Sequence, residues 1–377
     1  MRRILAAALT LCACTAALDI RAEMALETVV IFSRHGVRLP TDQKALDPLS
    51  IDPWPTWSVP VVPIAPVGHD KHDVPLTQHG AQAATRMGQH YRALYVRPGF
   101  LEEQGGCPAS GDLFAWADKT VRTRATADAI LAGLFPGCTK PEDVSASFDP
   151  QNADVLFHPI AAGVAPLDPE AAKTAVLAAM GGSFEAAKQR LSSDFDRLAA
   201  VLHGPRPETC AKDGLGSSCR LIDLPWSISI DSAKGHSLSL KGPLQMASAV
   251  AEIIRLEYAQ GMSADQVGWG RVAGAEGVKS LLALHKALYD VSLRVPPIAQ
   301  RGASQILNQI ALALEQGTGA EPAGGPPPAK LVLFVGHDTN MAHMQATLGV
   351  NWMLPGYPEN DTVPSGALEP VRGDHEV

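Results

Sequence analysis

Two apolar runs of the same design stand near the two ends of the chain. Thr28-Val29-Val30-Ile31-Phe32 is continuous and β-branched and leads into Ser33-Arg34-His35-Gly36. Leu331-Val332-Leu333-Phe334-Val335 repeats it and leads into Gly336-His337-Asp338. A run without polar alternation has no solvent face, so both read as strands buried on both sides and followed by a polar loop. Leu113 to Ala117 is a third, shorter candidate, followed by a loop carrying Arg122 and Arg124 and then a helix that stops at Pro136-Gly137. Elsewhere the period is helical. Ala84, Met87, Tyr91 and Leu94 share one face of a segment starting near Thr77, and Ala247, Val250, Ile254 and Tyr258 do so in a later one.

This order predicts an α/β fold, a mostly parallel sheet flanked by helices, interrupted by an α-helical insertion. The expected α/β unit is 23–153 with 285–377, and the insertion is the strand-poor stretch 154–284. Pro322 to Pro328 reads as a linker. Pro48 to Pro75 is rich in proline and lacks periodicity, which predicts a long ordered loop of the kind found at functional sites.

Met1-Arg2-Arg3, the apolar run Ile4 to Leu18 and the small residue Ala22 have the order of a secretory signal over residues 1–22, with Ala17 as the alternative cleavage point. Leu11-Cys12-Ala13-Cys14 has partial lipobox character. The apolar run is short of the ~18 residues that span a bilayer, so no membrane partner is expected and the location is periplasmic or secreted. With Cys12 and Cys14 removed, Cys107, Cys138, Cys210 and Cys219 remain. An even count in an exported chain predicts two disulfides, and closure of short loops favours Cys107–Cys138 and Cys210–Cys219.

Composition narrows the function. The 377 residues are 46% hydrophobic and 19% charged, which suits a globular chain and excludes a disordered or fibrous one. A formal charge of -8 without any block of Lys and Arg argues against a nucleic-acid partner. An anionic substrate would then need a local arginine cluster. One is available: if the two long strands are parallel neighbours, Arg34, His35, Arg38, His337 and Asp338 lie at one sheet edge, where ligands of open α/β sheets bind, and Arg122 joins from the third strand. Guanidinium groups supply paired hydrogen bonds to a phosphoryl group. Their charge also holds a nearby imidazole neutral and nucleophilic, and a carboxylic acid opposite can protonate a leaving oxygen. This is the equipment of a metal-free phosphomonoesterase with a histidine nucleophile.

Arg34-His35-Gly36-Val37-Arg38-Leu39-Pro40 resembles the RHGxRxP signature of the histidine acid phosphatases, branch 2 of the histidine phosphatase superfamily, and Gly336-His337-Asp338-Thr339-Asn340 resembles their distal motif. Trp54-Pro55-Thr56-Trp57, Leu76-Thr77, Cys107-Pro108, Gly268-Trp269-Gly270 and Trp352-Met353-Leu354-Pro355-Gly356 are further similarities to bacterial periplasmic phytases and glucose-1-phosphatases. The resemblance covers most of Leu26 to Gly366 and implies a phosphoglycerate mutase-like fold. It implies His35 as nucleophile, Asp338 as proton donor, and Arg34, Arg38, Arg122 and His337 as phosphate ligands, with Thr41 beside the pocket. It implies no cofactor and no metal, a small-molecule phosphomonoester (phytate or a sugar phosphate) as substrate, and a monomer. Against the family, the C-terminal part is expected to be shortened. Asp42 after Thr41 weakens the case for a highly anionic substrate, whereas Thr339 is phytase-like.

Blander readings stand beside these. Arg124 reads as a surface residue at a helix start, Glu252 as an exposed helix carboxylate and only secondarily as a site residue, and Trp54 and Trp57 as loop anchors. Gly68-His69-Asp70-Lys71-His72-Asp73 reads as a solvated loop before it reads as a metal site. Ser33 lacks a nucleophile elbow. The alternative function is a non-catalytic phosphate or phosphosugar binder on a disabled scaffold.

Overall fold

The computed structural model describes residues 25–41, 43–66, 73–216 and 219–350. The expected signal segment, Asp42, His69 to His72, Trp352 to Gly356 and the last residues of the chain lie outside them. The strands are β1 (Val29–Arg34), β2 (Leu113–Ala117), β3 (Ser227–Asp231), β4 (Ser237–Lys241) and β5 (Leu331–Gly336). The helices are α1 (Gln43–Leu46), α2 (Gln78–Val96), α3 (Val121–Leu134), α4 (Pro169–Ala179), α5 (Phe184–Leu202), α6 (Pro207–Lys212), α7 (Pro243–Ala259), α8 (Gly274–Ser292), α9 (Pro296–Gly317) and α10 (Asp338–Leu348).

β5 lies between β1 and β2, and both pairings are parallel. All six β5 residues are buried, as a run without alternation requires. Leu331, Leu333 and Val335 pack with Ile130, Leu131 and Leu134 of α3 on one face. Val332 and Phe334 meet Ile306 and Ala313 of α9 on the other. Arg34 pairs with Gly336 and Ala117 with Val335, so the strands end level and their following residues share one edge.

A separate core runs from Leu167 to Ile298 and also takes Leu46 and Leu49. It is built mainly by α4, α5, α7 and α8, and α9 links it to the sheet by giving Ile298 to one core and Ile306 to the other. The expected boundary after residue 284 falls within α8, whose helix continues unbroken to Ser292, and Val295 and Ile298 beyond it still belong to the second core. The expected boundary at 154 also fails locally: Asp154 is buried and accepts from Trp116 Nε1 of β2 at 2.5 Å. The antiparallel pair β3–β4 is an element that the helical reading of this stretch missed.

Two other expectations need correction. The buried stripe of α2 runs through Gly80, Ala84 and Gly88, which leaves Leu94 44% exposed. α3 begins at Val121, so Arg122 and Arg124 stand on its first turn and not in a preceding loop. The two disulfides are Cys107–Cys138 and Cys210–Cys219. Among the described residues, no helix is long and apolar enough to cross a membrane.

Candidate active site

The site is gathered from the residues that follow β1, β2 and β5, from the first turn of α3, and from α7 and α8 of the second core. His35 leaves β1 and is held by three contacts. Its Nδ1 is 2.9 Å from the Gly36 carbonyl, the Gly36 N–H donates to Thr126 Oγ1 at 3.0 Å, and Thr77 Oγ1 donates to the Val37 carbonyl at 3.2 Å. The chain turns tightly against α2, and a Cβ on Gly80 would lie 2.3 Å from the Val37 oxygen, so that position needs glycine. A carbonyl only accepts, so Nδ1 carries the hydrogen and Nε2 keeps a free lone pair.

Burial is the main cause that pushes the His35 pKa well below its ordinary value, and the charges of Arg34, Arg38, His337 and Arg122 add to it. His35 is therefore a neutral imidazole. His337 stands 5.5 Å away, ring centroid to centroid, in edge-to-face contact. Its backbone N–H donates to Asn340 Oδ1 at 2.9 Å, and its Nε2 lies 2.7 Å from Asp118 Oδ2. Burial again lowers its pKa, against the pull of Asp118.

Asp338 opens α10. Its Oδ2 lies 3.1 Å from Arg34, whose guanidinium also donates to Glu252 Oε1 at 2.8 Å. Burial acts to raise the pKa of Asp338, but Arg34, His35, His285 and Arg255 outweigh it and hold the carboxylate well below the usual range. The ring of Tyr289 packs on His285 at 4.5 Å, and its hydroxyl pKa is raised by burial and by the charge of Asp338.

Glu252 is not the exposed helix carboxylate that its sequence context suggests. It is 8% exposed, takes two hydrogen bonds from Arg255 at 2.8 and 2.9 Å and one from Arg34, and has Arg38 at 3.7 Å. Burial opposes ionisation, yet Arg255, Arg34, His285 and Arg38 bring its pKa down to about 2. Arg38 is pushed down to about 10 by its own burial, with Glu252 counteracting.

Arg122 NH1 is 3.8 Å from Asp73, whose Oδ1 also accepts from the Val121 N–H at 2.8 Å. Asp73 thus holds the start of α3 and its arginine; the rest of its expected metal loop lies outside the described residues. Arg124 points elsewhere, to the Ala65 carbonyl at 2.6 Å and over the Phe148 ring. Trp54 and Trp57 pack on the second core, Trp54 against Trp269 at 4.7 Å. Thr41 lies half-buried at a bend just after Pro40, and no hydrogen bond ties it to the pocket among the described residues.

Sequence reasoning missed Asp118, Arg255, His285 and Tyr289. Asp118 follows β2 as His35 follows β1, so the rule that found the histidines covers it as well. Arg255 lies one helical turn from Glu252, a spacing that pairs charges on one face. The others carry no local signal.

A pocket with four guanidinium groups, a neutral buried imidazole and a carboxyl group beside it suits transfer of a phosphoryl group to nitrogen with protonation of a departing oxygen. Comparison with known proteins agrees with that chemistry. The family model described as histidine phosphatase superfamily (branch 2) matches residues 25–193 and 247–376. The chain is 36% identical over 350 residues to phytase AppA of Escherichia coli (strain K12), covering 92% of this chain and 76% of that protein. It is 30% identical over 337 residues to glucose-1-phosphatase of Providencia rettgeri, covering 88% and 73%. Among solved structures, the phytase from Citrobacter braakii superposes with a TM-score of 0.73 at 35% identity, over 90% of this chain and 79% of that one.

Proposed function

The chain belongs to branch 2 of the histidine phosphatase superfamily, and from that premise we propose that it hydrolyses phosphomonoesters through a phosphohistidine on His35. The observation that carries the reading is the state of His35, a buried neutral imidazole whose Nδ1 is committed to the Gly36 carbonyl within a ring of arginines. Nε2 attacks phosphorus, the ester P–O bond breaks, and the Asp338 carboxyl gives its proton to the departing alcohol. Water then attacks phosphorus and gives a proton to the Asp338 carboxylate, the P–N bond breaks with its electron pair returning to His35 Nε2, and inorganic phosphate leaves. Arg34, Arg38, Arg122 and His337 hold the phosphoryl oxygens throughout.

Asp338 is ionised beside Arg34 before substrate arrives. A phosphate ester takes over that guanidinium and brings negative charge close to the carboxylate, and both effects favour its protonated form. In mild acid the monoanionic ester carries the proton in with it. The substrate class is the phosphate esters of polyols and sugars, supported by relatives named phytase and glucose-1-phosphatase. Two disulfides support an exported, oxidising location, periplasmic or secreted. The division of labour is a sheet unit that carries the nucleophile and an inserted helical unit that roofs it with Glu252 and Arg255.

The test is to acid-quench and base-quench the enzyme after a single turnover with labelled substrate. The phosphoryl label should survive base, be lost in acid, and vanish in His35→Ala while phosphate binding persists. Label on serine, or none at all, overturns the assignment. A protein that only binds phosphate needs neither nucleophile nor acid and would show no label.

A further inference from the structure

Beside the phosphate pocket, three side chains converge that the proposed chemistry does not need as a set. Asp118 follows β2, His337 follows β5, and His158 stands in the connection before α4. Asp118 is 1% exposed. Its Oδ2 lies 2.7 Å from His337 Nε2 and its Oδ1 lies 3.3 Å from His158 Nε2, so each carboxylate oxygen faces one imidazole nitrogen. One donor atom from each of the three lies within 4.8 Å of the others. A buried carboxylate set between two imidazole nitrogens, one donor atom from each side chain, is a ligand set that a cation can occupy.

We propose that Asp118, His158 and His337 form an accessory site for a divalent transition ion of the zinc class. Two imidazole nitrogens and a carboxylate oxygen select zinc, cobalt or nickel over magnesium and calcium, which prefer all-oxygen shells. Ligand atoms about 2.0–2.1 Å from a tetrahedral ion lie roughly 3.3 Å apart, which the Asp118–His158 separation already matches. The Asp118–His337 contact has to open by about half an ångström as the ion replaces the shared hydrogen.

The framework that holds the ligands is rigid. The Asp118 N–H donates to the Val335 carbonyl at 3.0 Å, the His337 N–H to Asn340, and the His158 N–H to the Asp154 carbonyl at 2.7 Å. The His158 side chain is 38% exposed, which gives an ion a way in and leaves the fourth position to water. Turnover does not depend on this ion, because the arginines neutralise the phosphoryl charge.

The experiment uses the full chain stripped with EDTA, which should keep its turnover. Cobalt(II) should bind with one-to-one stoichiometry at this site and give the visible absorption of a tetrahedral centre. X-ray absorption of the zinc-loaded protein should show two imidazoles at about 2.0–2.1 Å. His158→Gln should weaken cobalt and zinc binding at least about tenfold while p-nitrophenyl phosphate turnover in EDTA stays within about twofold of the parent. No saturable binding to the parent, unchanged affinity in His158→Gln, or fewer than two imidazoles around zinc each overturns the site. The absorption measurement needs no variant and decides alone if His158→Gln fails to fold. Binding is read without substrate, so its failure leaves the phosphatase reading standing, and an inactive chain that binds cobalt leaves this one standing.

Discussion

Replacing Glu257 with glutamine should leave stability unchanged below pH ~4.5 and raise it progressively as pH climbs to about 7, with the full gain in mild alkali. Glu257 lies on α7 and is fully buried. Its Oε2 accepts from the Gly268 N–H at 2.9 Å, its Oε1 has no hydrogen-bond partner, and no ion pair reaches it among the described residues. The turn that supplies the single donor is itself in the left-handed region, at φ 53° for Gly268 and 57° for Trp269, so it has little freedom to improve the contact. Burial pushes the Glu257 carboxyl up from 4.5 to about 7, and the Gly268 N–H offsets only part of that rise.

For an acid whose pKa is raised by folding, the stability contribution is complete when both states are protonated and is lost as pH rises through the folded value. The window here runs from 4.5 to about 7. At ~1.4 kcal/mol per pH unit, the interval amounts to about 3 kcal/mol, lost fully by pH ~8.5. Glutamine keeps the acceptor for Gly268 and cannot ionise. The readout is the gain in melting temperature at pH ~8.5 minus the gain at pH ~5, which should be about 3 °C for a chain of this size. Taking this difference removes any packing cost of the amide common to both conditions. A difference below about 1 °C would show that the carboxyl is neutralised by other means and refute the argument.

The remaining predictions concern the second fold lock and the pocket. His343 on α10 is buried with neither ring nitrogen hydrogen-bonded, and burial brings its pKa down to about 4, so its neutral form supports the fold above pH ~6.5 and that support is lost as pH falls through 4. His343→Leu should flatten the acid limb of stability by about 3 kcal/mol between pH ~6.5 and ~3, measured by urea unfolding. A Cβ on Gly302 would lie 2.1 Å from His343 Nδ1, so Gly302→Ala should cost about 1–3 kcal/mol and lose most of that cost in a His343→Ala background. Arg38→Ala or Arg122→Ala should lower kcat/KM on the order of 10²–10³, and a loss below about threefold removes that residue from the site. Asp338→Asn should slow the first half-reaction of a sugar phosphate at least about tenfold more than that of p-nitrophenyl phosphate in single-turnover assays, since a poor leaving group needs the proton more.

What the sequence could reveal depended on whether the physics was local. β1 and β5 were legible because a strand buried on both faces must be a continuous apolar run, and Arg34, His35, His337 and Asp338 follow from those strands once they are parallel neighbours. The partners of these residues were not legible, since Asp118 and His337 are 219 positions apart and Arg34 and Glu252 are 218 apart. Glu252 misled for a further reason. A charged residue in a helix is assigned to the solvent side by default, but α7 is buried almost all round, and Glu252 pairs inward with Arg255 and Arg34. The β3–β4 pair had a signal that helical expectation overrode: Ser227-Ile228-Ser229-Ile230 alternates with the period of a strand, and its exposed and half-buried positions follow that alternation.

One physical cause, burial without a matching charge, sets both the chemistry and the conditions it needs. It keeps His35 neutral, with the arginines reinforcing it, so the nucleophile persists into acid where a free imidazole would be protonated. The same cause makes acid costly for the fold at His343, whose neutral state is required and whose proton has no acceptor to share it. At Glu257 it acts with the opposite sign, since there the neutral state is the protonated one and alkali is the costly direction. In the folded protein both groups are uncharged between about 4 and about 7, while across that interval falling pH costs stability at His343 and rising pH costs it at Glu257. Within that range a phosphate ester is largely monoanionic and can bring in the proton that the proposed mechanism assigns to Asp338, while His35 stays neutral. Above about 7 the folded protein carries an unpaired buried charge on α7, five residues from Glu252 and on the same helix as Arg255.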